Sequence, residues 1–333
     1  MPATSYDVVA VGNALVDVLA HAADDFLAAQ GLHKGSMRLI DAEEADRLYA
    51  ALGPSVETSG GSVANTAVGV ASFGGRAAYI GKVRDDQLGE IFRHDIRAVG
   101  VDFDVAPAPT GPPTGRSLIV VTSDAERTMS TFLGIAALLS PDDIDPDVIA
   151  RSKVTFCEGY LWDVEIAKLA IRTAMDAAHD AGRLVALSLS DGLCVDRHRA
   201  EFRELVDQRV DILVANETEI CSLYETESCE DAIEQVRGRA ELAFVTRGPR
   251  GSLVVAGDAV HQVDASPAEV IVDKTGAGDM YAAGALFGLT NGHDVVTSAR
   301  LGSMAASEVI GHFGPRPNMG LAELTAVAAS AAR

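Results

Sequence analysis

The chain contains Asp273-Lys274-Thr275-Gly276-Ala277-Gly278-Asp279, followed at once by the apolar stretch Met280-Tyr281-Ala282-Ala283-Gly284-Ala285-Leu286-Phe287. The small residues at positions 276 to 278 let backbone N–H groups crowd around an anion. The apolar stretch predicts a helix whose positive end faces that anion, with a carboxylate in its first turn. The segment therefore predicts a site for phosphoryl transfer that has a base built into it.

Two common phosphate-binding loops do not fit this segment. A dinucleotide-binding loop needs a third small residue where this chain has Tyr281, and no acidic residue stands clearly about twenty positions further on. The lysine-bearing loop Gly-x-x-x-x-Gly-Lys-Ser/Thr occurs nowhere in the chain. Taken alone, the segment is equally compatible with an ordinary turn and helix cap, because Gly and Asp are common in both.

Composition is typical of a globular enzyme. The chain is 48% hydrophobic and 23% charged, as in globular enzymes. Its length of 333 residues suits one large core with an appended piece. No apolar run approaches the roughly 18 to 20 residues that a membrane span needs. The net charge of −21 opposes binding to nucleic acid or to an anionic membrane, and solubility is its simplest role.

The cysteines and the start of the chain bear on the compartment. The four cysteines lack Cys-x-x-Cys spacing, so we expect reduced and mostly buried thiols. No basic segment precedes the strand-like run Val8-Val9-Ala10-Val11, so no export signal is expected. Together these features predict a cytoplasmic protein.

Short β-branched runs alternate with longer helical patterns along most of the chain. This alternation predicts a doubly wound α/β fold, a mostly parallel sheet with helices on both faces. Strands are predicted at Tyr6–Val11, Ala77–Gly81, Val154–Cys157, Leu184–Leu189, Ile212–Ala215 and Leu242–Thr246. Helices are predicted at Ala64–Phe73, Gln87–Val99, Val164–Ala181, Glu217–Tyr224, Asp231–Arg239, Asp279–Leu289 and Val295–Val309.

Two stretches, Gly31–Ile40 and Thr114–Phe132, carry β character without an intervening helix. Within the second, Ser117–Thr122 and Arg127–Phe132 are interpreted as two strands joined by a polar turn. We expect a small antiparallel β-sheet, built from about 13–41 and 103–133, that projects from a single domain over residues 1–333. Such a sheet could close over a ligand as a lid or join two subunits, so a monomer and a homodimer through the lid both stay open.

Polar residues follow the first strand and precede the first long helix. A carboxylate that accepts hydrogen bonds from two vicinal hydroxyls can hold a sugar ring, which makes Asp17 a candidate polyol anchor. The small residues of Ser59-Gly60-Gly61-Ser62 let a helix N-terminus approach a ligand, and Asn65 lies one turn into that helix. Both segments have a purely structural alternative: Asp17 could be an acidic residue of a turn or helix cap, and Ser62 could cap the helix.

Two further clusters follow predicted strands, where open α/β sheets bind their ligands. Asn216 and Glu219 of Asn216-Glu217-Thr218-Glu219 lie three apart on one helix face, which suits an oxygen shell around hydrated Mg²⁺. A capping box is the alternative for this pair. The glycine-rich turn Thr246–Gly251 is placed to contact a nucleotide, or else forms a plain hairpin loop.

These clusters, in this order, closely resemble the ribokinase-like, or PfkB, family of sugar and nucleoside kinases. The resemblance covers nearly the whole chain, from Gly12 to Gly311-His312-Phe313-Gly314. It implies one Rossmann-like α/β domain with a β lid, ATP as phosphoryl donor, Mg²⁺ and, in many members, activation by K⁺. The chain is most similar to adenosine kinases in Gly12–Asp17, Ser188-Leu189-Ser190, the complete Asn-Glu-Thr-Glu cluster and the lid segment opened by Arg127.

The resemblance also implies roles for individual residues. The ribose would be held by Asn13, Asp17, Gly61, Ser62 and Asn65, with Asp17 at its 2′ and 3′ hydroxyls. The base would be flanked by Met129 and Thr131 of the lid and by Tyr160 or Leu161, where adenosine kinases typically have a Phe pair. ATP would be contacted by Asn216, Glu219, Thr246, Gly248 and Gly251, and a K⁺ site would draw oxygens from Asp273 and Thr275.

The expected reaction is transfer of the γ-phosphoryl group of ATP to a CH₂–OH group. Asp279 would take the hydroxyl proton, and the N–H groups of Gly276, Ala277 and Gly278 would stabilise the transferring phosphoryl oxygens. Arg127 would pair with phosphate as the lid moves, and Mg²⁺ near Asn216 and Glu219 would neutralise the remaining charge. The acceptor is expected to be the 5′-hydroxyl of a nucleoside, adenosine giving AMP; the alternative is a PfkB-type kinase of ribose, fructose or a related sugar.

Overall fold

The computed structural model describes residues 3–330. Its strands are β1 (Tyr6–Val11), β2 (Leu15–His21), β3 (Met37–Leu39), β4 (Ser55–Gly60), β5 (Ala77–Ile80), β6 (Val101–Asp102), β7 (Thr114–Val121), β8 (Arg127–Gly134), β9 (Ser152–Glu158), β10 (Leu184–Ser188), β11 (Ile212–Asn216), β12 (Leu242–Thr246), β13 (Ser252–Ala256) and β14 (Ala259–Val263). Its α-helices are α1 (Asp24–Ala29), α2 (Ala42–Ala51), α3 (Ser62–Ser72), α4 (Gln87–Ala98), α5 (Pro146–Ala150), α6 (Glu165–Asp180), α7 (Gly192–Gln208), α8 (Glu217–Tyr224), α9 (Cys229–Val236), α10 (Ala277–Thr290), α11 (Val295–Val309) and α12 (Ala322–Ser330).

Nine strands form a large, mostly parallel sheet in the order β14-β13-β12-β11-β10-β9-β1-β5-β6. Only β13 and β14 run antiparallel to their neighbours. The chain order reverses at β1, which pairs with β5 on one side and β9 on the other. A crevice opens at the carboxyl ends of the strands beside such a reversal, and this is where open α/β sheets bind their ligands.

Helices cover both faces of the large sheet, which confirms the predicted doubly wound α/β fold. Side chains of β1 alternate between the two layers, with Val9 and Val11 on one face and Val8 and Ala10 on the other. Helices α5 to α9 pack on the first face, and α3, α4, α10 and α11 pack on the second. Because both faces of the sheet are buried, its strands consist largely of consecutive apolar residues. This is why the strands could be located from the sequence.

Five strands form a second, smaller sheet in the order β3-β8-β7-β2-β4. The expected antiparallel pairing holds for β7 with β8 and for β2 with β4. It is wrong for β2 with β7 and for β3 with β8, which are parallel. No hairpin turn joins these partners, so local chain geometry does not require them to run antiparallel. The sheet also contains β4, outside the expected segments 13–41 and 103–133, whose sequence Ser-Val-Glu-Thr-Ser-Gly has one large apolar residue.

The six predicted strands and seven predicted helices are all present, with ends that differ by a few residues. Helix α7 was missed because its apolar pattern is interrupted, and the backbone departs from helical geometry at His198. The four cysteines are free thiols, three of them buried, as expected. None of the helices in residues 3–330 combines the length and the apolar character needed to span a membrane.

Helix α10 is the central helix on its face of the sheet and carries Asp279 in its first turn. Its residues from Met280 to Gly288 are all buried. It packs closely on α11, because a Cβ atom on Gly284 would overlap the backbone at Leu301 and Gly302. It also packs closely on α3, where a Cβ on Gly69 would lie 2.5 Å from that of Ala283. The position of Asp279 is therefore set by tight helix packing.

Gly284→Ala is expected to lower the free energy of unfolding by about 1–3 kcal/mol, because the added methyl group overpacks the contact between α10 and α11. Gly53→Ala is the matched control, since a Cβ at Gly53 meets no atom within 4 Å. Its effect should stay within about 0.5 kcal/mol. Chemical denaturation of both variants measures the difference. Equal stability of the two variants would contradict the close packing of α10 on α11.

Candidate active site

A cleft of about 950 Å³ lies between the carboxyl edge of the large sheet and the small sheet. It brings together residues that the sequence placed in separate clusters. All the expected site residues except Leu161 and Asp273 line this cleft, namely Asn13, Asp17, Gly61, Ser62, Asn65, Arg127, Met129, Thr131, Tyr160, Asn216, Glu219, Thr246, Gly248, Gly251, Thr275, Gly276, Ala277, Gly278 and Asp279.

Asp279 is the third residue of α10 and stands at the positive end of that helix. One carboxylate oxygen accepts a hydrogen bond from Ser62 Oγ at 2.7 Å, and the other accepts one from Asn65 Nδ2 at 3.0 Å. Desolvation in the cleft raises the pKa of Asp279, whereas these two hydrogen bonds and the charge of Arg127 lower it. The side chain of Ser62 therefore orients Asp279. Ser62 is not the helix cap considered as its alternative role, because the N-cap of α3 is Gly61.

The anion loop is defined here as residues 273–278. Gly276 has a φ of +80°, a left-handed conformation that suits glycine, and it is the N-cap of α10. The fully buried side chain of Asp273 braces the loop, since one oxygen accepts from Thr275 N at 2.8 Å and from Thr275 Oγ1 at 2.6 Å. Its other oxygen accepts from Gly314 N at 3.0 Å. Asp273 therefore supports the loop from behind the cleft.

Three acceptor groups face the cleft near the end of β1. Asp17, on β2, is 4% exposed, and no donor from the described residues reaches its carboxylate. The side-chain oxygens of Asn13 and Asn65 are also buried without a protein partner. Buried polar atoms are nearly always hydrogen-bonded, so these oxygens are suited to a ligand that donates from several hydroxyls.

Glu158 is a cleft residue that the sequence reasoning missed. It ends β9, is 1% exposed, and accepts a hydrogen bond from Asn13 Nδ2 at 2.7 Å. Burial raises the pKa of Glu158 to about 7, although hydrogen bonds from Asn13 and Val63 oppose this shift. The bond orients the amide of Asn13, so that its oxygen is the atom left for a ligand. The available signal was a charged residue directly after the predicted strand Val154–Cys157.

Asn216 and Glu219 form a complete capping box at the start of α8 and also line the cleft. Asn216 Oδ1 accepts from Glu219 N at 2.9 Å, and Glu219 Oε2 accepts from Asn216 N at 3.0 Å. Burial raises the pKa of Glu219 to about 7, and the nearby carboxylates of Asp191 and Asp279 add to this shift. Thr246 pairs with Asn216 on the neighbouring strand and lines the cleft with Gly248 and Gly251, as do the apolar residues Pro267 and Ile271.

The cleft-facing side of the small sheet is mostly apolar. The pairing register places Asp17 opposite Ser117 and Leu19 opposite Ile119, and Ile119 lies opposite Met129 on the next strand. The strand period of two puts these residues on one face. The apolar members of this face that line the cleft are Leu15, Met37, Leu39, Ile119, Met129 and Leu133. Its polar members include a Ser117–Thr131 hydroxyl pair at 2.9 Å.

The small sheet contacts the anion loop directly. Arg127 Nη1 donates to the carbonyl oxygen of Lys274 at 3.2 Å, and Lys274 forms an ion pair with Glu126. Tyr160 lines the cleft, but Leu161 does not: it is 2% exposed and packs in the core. Residues Gly159–Asp163 form a 3₁₀ turn, in which adjacent side chains point in different directions. Of the two alternatives Tyr160 and Leu161, only Tyr160 therefore faces the cleft.

The fold and site define the class of the protein, an α/β phosphotransferase. At the point where the strand order of the large sheet reverses, a helix N-terminus and a carboxylate lie near oxygen atoms that can accept hydrogen bonds from ligand hydroxyls. Residues 35–320 match the pfkB family of carbohydrate kinases. The chain therefore belongs to the pfkB family and is an ATP-dependent kinase that phosphorylates a hydroxyl group.

Relatives of this chain include kinases named for nucleosides and for sugars. It is 53% identical to the solved adenosine kinase from Sinorhizobium meliloti, with a TM-score of 0.94 over 98% of this chain and 100% of that one. It is 46% identical to a probable sugar kinase from Rhizobium etli, with a TM-score of 0.94 over 98% of this chain and 99% of that one. It is also 28% identical to probable fructokinase-4 of Arabidopsis thaliana over 68% of this chain and 71% of the relative.

Ser62→Ala is expected to move the acid limb of the kcat/KM profile to higher pH. The Ser62 hydroxyl lowers the pKa of Asp279, so its removal raises that pKa and leaves Asp279 protonated over a wider acid range. As pH falls, activity should therefore be lost at a higher pH than in the wild-type protein, and it should recover as pH rises. Initial rates between pH 5 and 9 measure the limb.

Thr66→Val is the matched control for this change. Thr66 Oγ1 donates to the main-chain carbonyl of Asp279 at 3.1 Å and leaves the carboxylate untouched. The acid limb of this variant should stay at its wild-type position. An equal shift in the two variants would mean that the limb does not report the hydrogen bond from Ser62 to the Asp279 carboxylate.

Proposed function

We propose that this kinase phosphorylates the 5′-hydroxyl of a nucleoside, most simply converting adenosine and ATP to AMP and ADP. The observation that carries the proposal is the apolar face of the small sheet, which begins at Leu15, beside Asp17, and continues through Ile119 and Met129. A purine ring could bury its flat surface there. A free sugar has a hydroxyl on most ring carbons and would leave several of them unpaired against these side chains.

The ribose of the nucleoside would occupy the polar end of the same face. Asp17 would accept hydrogen bonds from the 2′ and 3′ hydroxyls, and the buried oxygens of Asn13 and Asn65 would accept from further ligand donors. The backbone at Gly61 would lie close to the sugar, and Met129, Thr131 and Tyr160 would flank the base.

Asp279 would act as the general base. Ser62 and Asn65 hold its carboxylate in one orientation. A carboxylate oxygen would take the proton of the acceptor hydroxyl while the oxygen of that hydroxyl bonds to the γ-phosphorus. The bond between the γ-phosphorus and the bridging oxygen breaks, and ADP leaves. The N–H groups of Gly276, Ala277 and Gly278 would stabilise the charge on the transferring group, and Arg127 would pair with a phosphate oxygen.

Asn216 and Glu219 fit a role near a phosphate-bound Mg²⁺ ion. The described residues contain no cluster of three metal-binding side chains, and Mg²⁺ in kinases is bound mainly by phosphate and water. When bound, the ion would neutralise phosphate charge, and its own charge would favour ionised Glu219. Both side-chain oxygens of Asp273 are already hydrogen-bonded, so a K⁺ site beside the anion loop would draw on main-chain carbonyls of Asp273 and Thr275.

The second candidate is a kinase of ribose, fructose or a related sugar. The Ser117–Thr131 hydroxyl pair favours it, because these two groups offer polar partners within the apolar face. A cytoplasmic location, a single domain with a mobile lid, and a monomer or a lid-mediated homodimer stay predictions from the sequence.

Substrate competition tests the proposal. Purified protein with ATP, Mg²⁺ and K⁺ is offered adenosine, guanosine, cytidine, ribose and fructose, and ADP formation is measured. We expect kcat/KM for adenosine to exceed that for either sugar by at least about 10², because the sugars leave the apolar face unused. A preference for ribose or fructose would overturn the nucleoside assignment in favour of the second candidate.

Asp279→Asn is expected to lower kcat by about 10² to 10⁴, because the amide cannot take the hydroxyl proton. Binding of ATP, measured by calorimetry, should be retained. Asp264→Asn is the control, because Asp264 is an exposed carboxylate near the nucleotide end of the cleft. Its kcat should stay within about threefold of wild type. Near-normal turnover of Asp279→Asn would remove Asp279 from the role of base.

A further inference from the structure

The turn at residues 311–318, between α11 and α12, touches several parts of the active site. The Phe313 ring stacks on His21 of β2 with 4.2 Å between ring centroids, and it packs against a cluster formed by Leu19, Ile119 and Val121. The N–H of Gly314 donates to Asp273, which braces the anion loop. This turn therefore joins the small sheet to the phosphate-binding side of the cleft.

Arg316 of this turn reaches the strand β4. Its side chain is 13% exposed. Nη1 donates to Asp95 Oδ2 at 2.8 Å, and Nη2 donates to Ser59 Oγ at 2.5 Å. The same Asp95 oxygen also accepts from Ser59 N at 2.7 Å and from Ser59 Oγ at 2.6 Å. Ser59 is thus held from two sides, by Asp95 of α4 and by Arg316.

The strand that Arg316 contacts, β4, pairs with β2 and packs against the side chain of Asp17. Gly60 directly follows Ser59, and a Cβ atom on Gly60 would overlap the carboxyl group of Asp17. The backbone of β4 therefore determines where that carboxylate can lie. A shift of Ser59 would move Gly60, and with it the surface on which Asp17 rests.

We propose that Arg316 is a positioning residue for the acceptor, which acts on Asp17 by holding β4 in place and by placing a positive charge near its carboxylate. The inference rests on the proposed role of Asp17 in binding acceptor hydroxyls, and it holds for a nucleoside or a sugar alike. It gives the turn at 311–318 a part in acceptor binding, although no residue of this turn lines the cleft.

The charges around Asp17 support this role. Burial raises the pKa of Asp17 to about 7, and the carboxylates of Asp279 and Glu158 add to the shift. Arg316 opposes it, and Arg316 is also paired with Asp95 of α4. Without Arg316, a larger fraction of Asp17 would be protonated at neutral pH, and a protonated carboxyl accepts fewer hydrogen bonds.

The first test is the kinetics of Arg316→Met. We expect the KM for the acceptor to rise about 10- to 100-fold, because Asp17 is less well held and less often ionised, and so binds the acceptor hydroxyls more weakly. The KM for ATP and kcat should change less than about threefold. Arg316→Lys, which keeps the charge, should recover part of the affinity. Arg239→Met is the matched control, since Arg239 forms a 2.8 Å ion pair with Asp207 outside the cleft.

The second test asks whether Arg316 acts through Asp17. The acceptor KM of Arg316→Met should rise further as pH falls, with the inflection at higher pH than in wild type, because the pKa of Asp17 is raised. In an Asp17→Asn background, Arg316→Met should change the acceptor KM less than about threefold. Thermal unfolding of each variant shows whether it folds.

Three results would overturn the inference: an unchanged acceptor KM in Arg316→Met, an equal rise in the KM for ATP, or full additivity with Asp17→Asn. An equal loss of stability and of both affinities in Arg316→Met and Arg316→Lys would assign Arg316 a structural role only. The measurements use whichever acceptor the wild-type protein phosphorylates. If that acceptor is fructose, the nucleoside proposal fails, and the test of Arg316 proceeds with fructose.

Discussion

The hydrogen bonds from Ser62 and Asn65 to Asp279 are the interaction on which the arrangement of the active site depends. They join α3 to α10, and α3 follows β4 of the small sheet after the single residue Gly61. A desolvated carboxylate is costly, and here two donors and the positive end of a helix offset that cost. The same bonds fix the position of Asp279 relative to β4 and the adjacent Asp17, because α3 directly follows β4. The small residues at the contact between α3 and α10 allow this close approach.

The cleft is rich in carboxylates, although one of its substrates is the anion ATP. Burial raises the pKa of Asp17, Glu158 and Glu219 to about 7 in each case, and the mutual repulsion of these groups with Asp279 adds to the shifts. These acidic groups suit ligands that bring donors or positive charge, namely acceptor hydroxyls and a divalent cation. Attraction for phosphate must come from the N-terminus of α10, Arg127 and Lys274. The net charge of −21 of the whole chain makes this local attraction necessary.

The sequence predicted six of the seven parallel strands of the large sheet, because these six are mostly buried apolar runs. It did not predict the two-residue edge strand β6, in which Asp102 is exposed. It also predicted most cleft residues, because ligand-binding side chains follow strand ends in such sheets. It could not predict β4, whose residues are polar or small and which is defined by its partners. The resemblance to adenosine kinases left Tyr160 and Leu161 as alternatives, and only the 3₁₀ turn at Gly159–Asp163 shows that Leu161 packs in the core. Glu158 was missed although it directly follows a predicted strand, because its partner Asn13 is far away in the chain. Arg316 contacts Ser59 and Asp95, which are also far away in the chain, and no local pattern marks such contacts.

The register of the small sheet separates most of the residues that we propose bind the acceptor from those that we propose transfer the phosphoryl group. Asp17 and the apolar residues Ile119 and Met129 lie on one face of β2, β7 and β8, whereas Asp279 and the anion loop belong to the helix layer of the large sheet. Arg127 aside, a substitution on the cleft-facing side of a strand would change the surface offered to the acceptor and leave Asp279 and the anion loop in place. A period of two makes each such position independent of the opposite face. Under the proposed function, the acceptor preference of this kinase would depend on side chains of the small sheet together with Asn13, Asn65 and Tyr160. The contacts of α10 with α3 and α11 hold Asp279 in place.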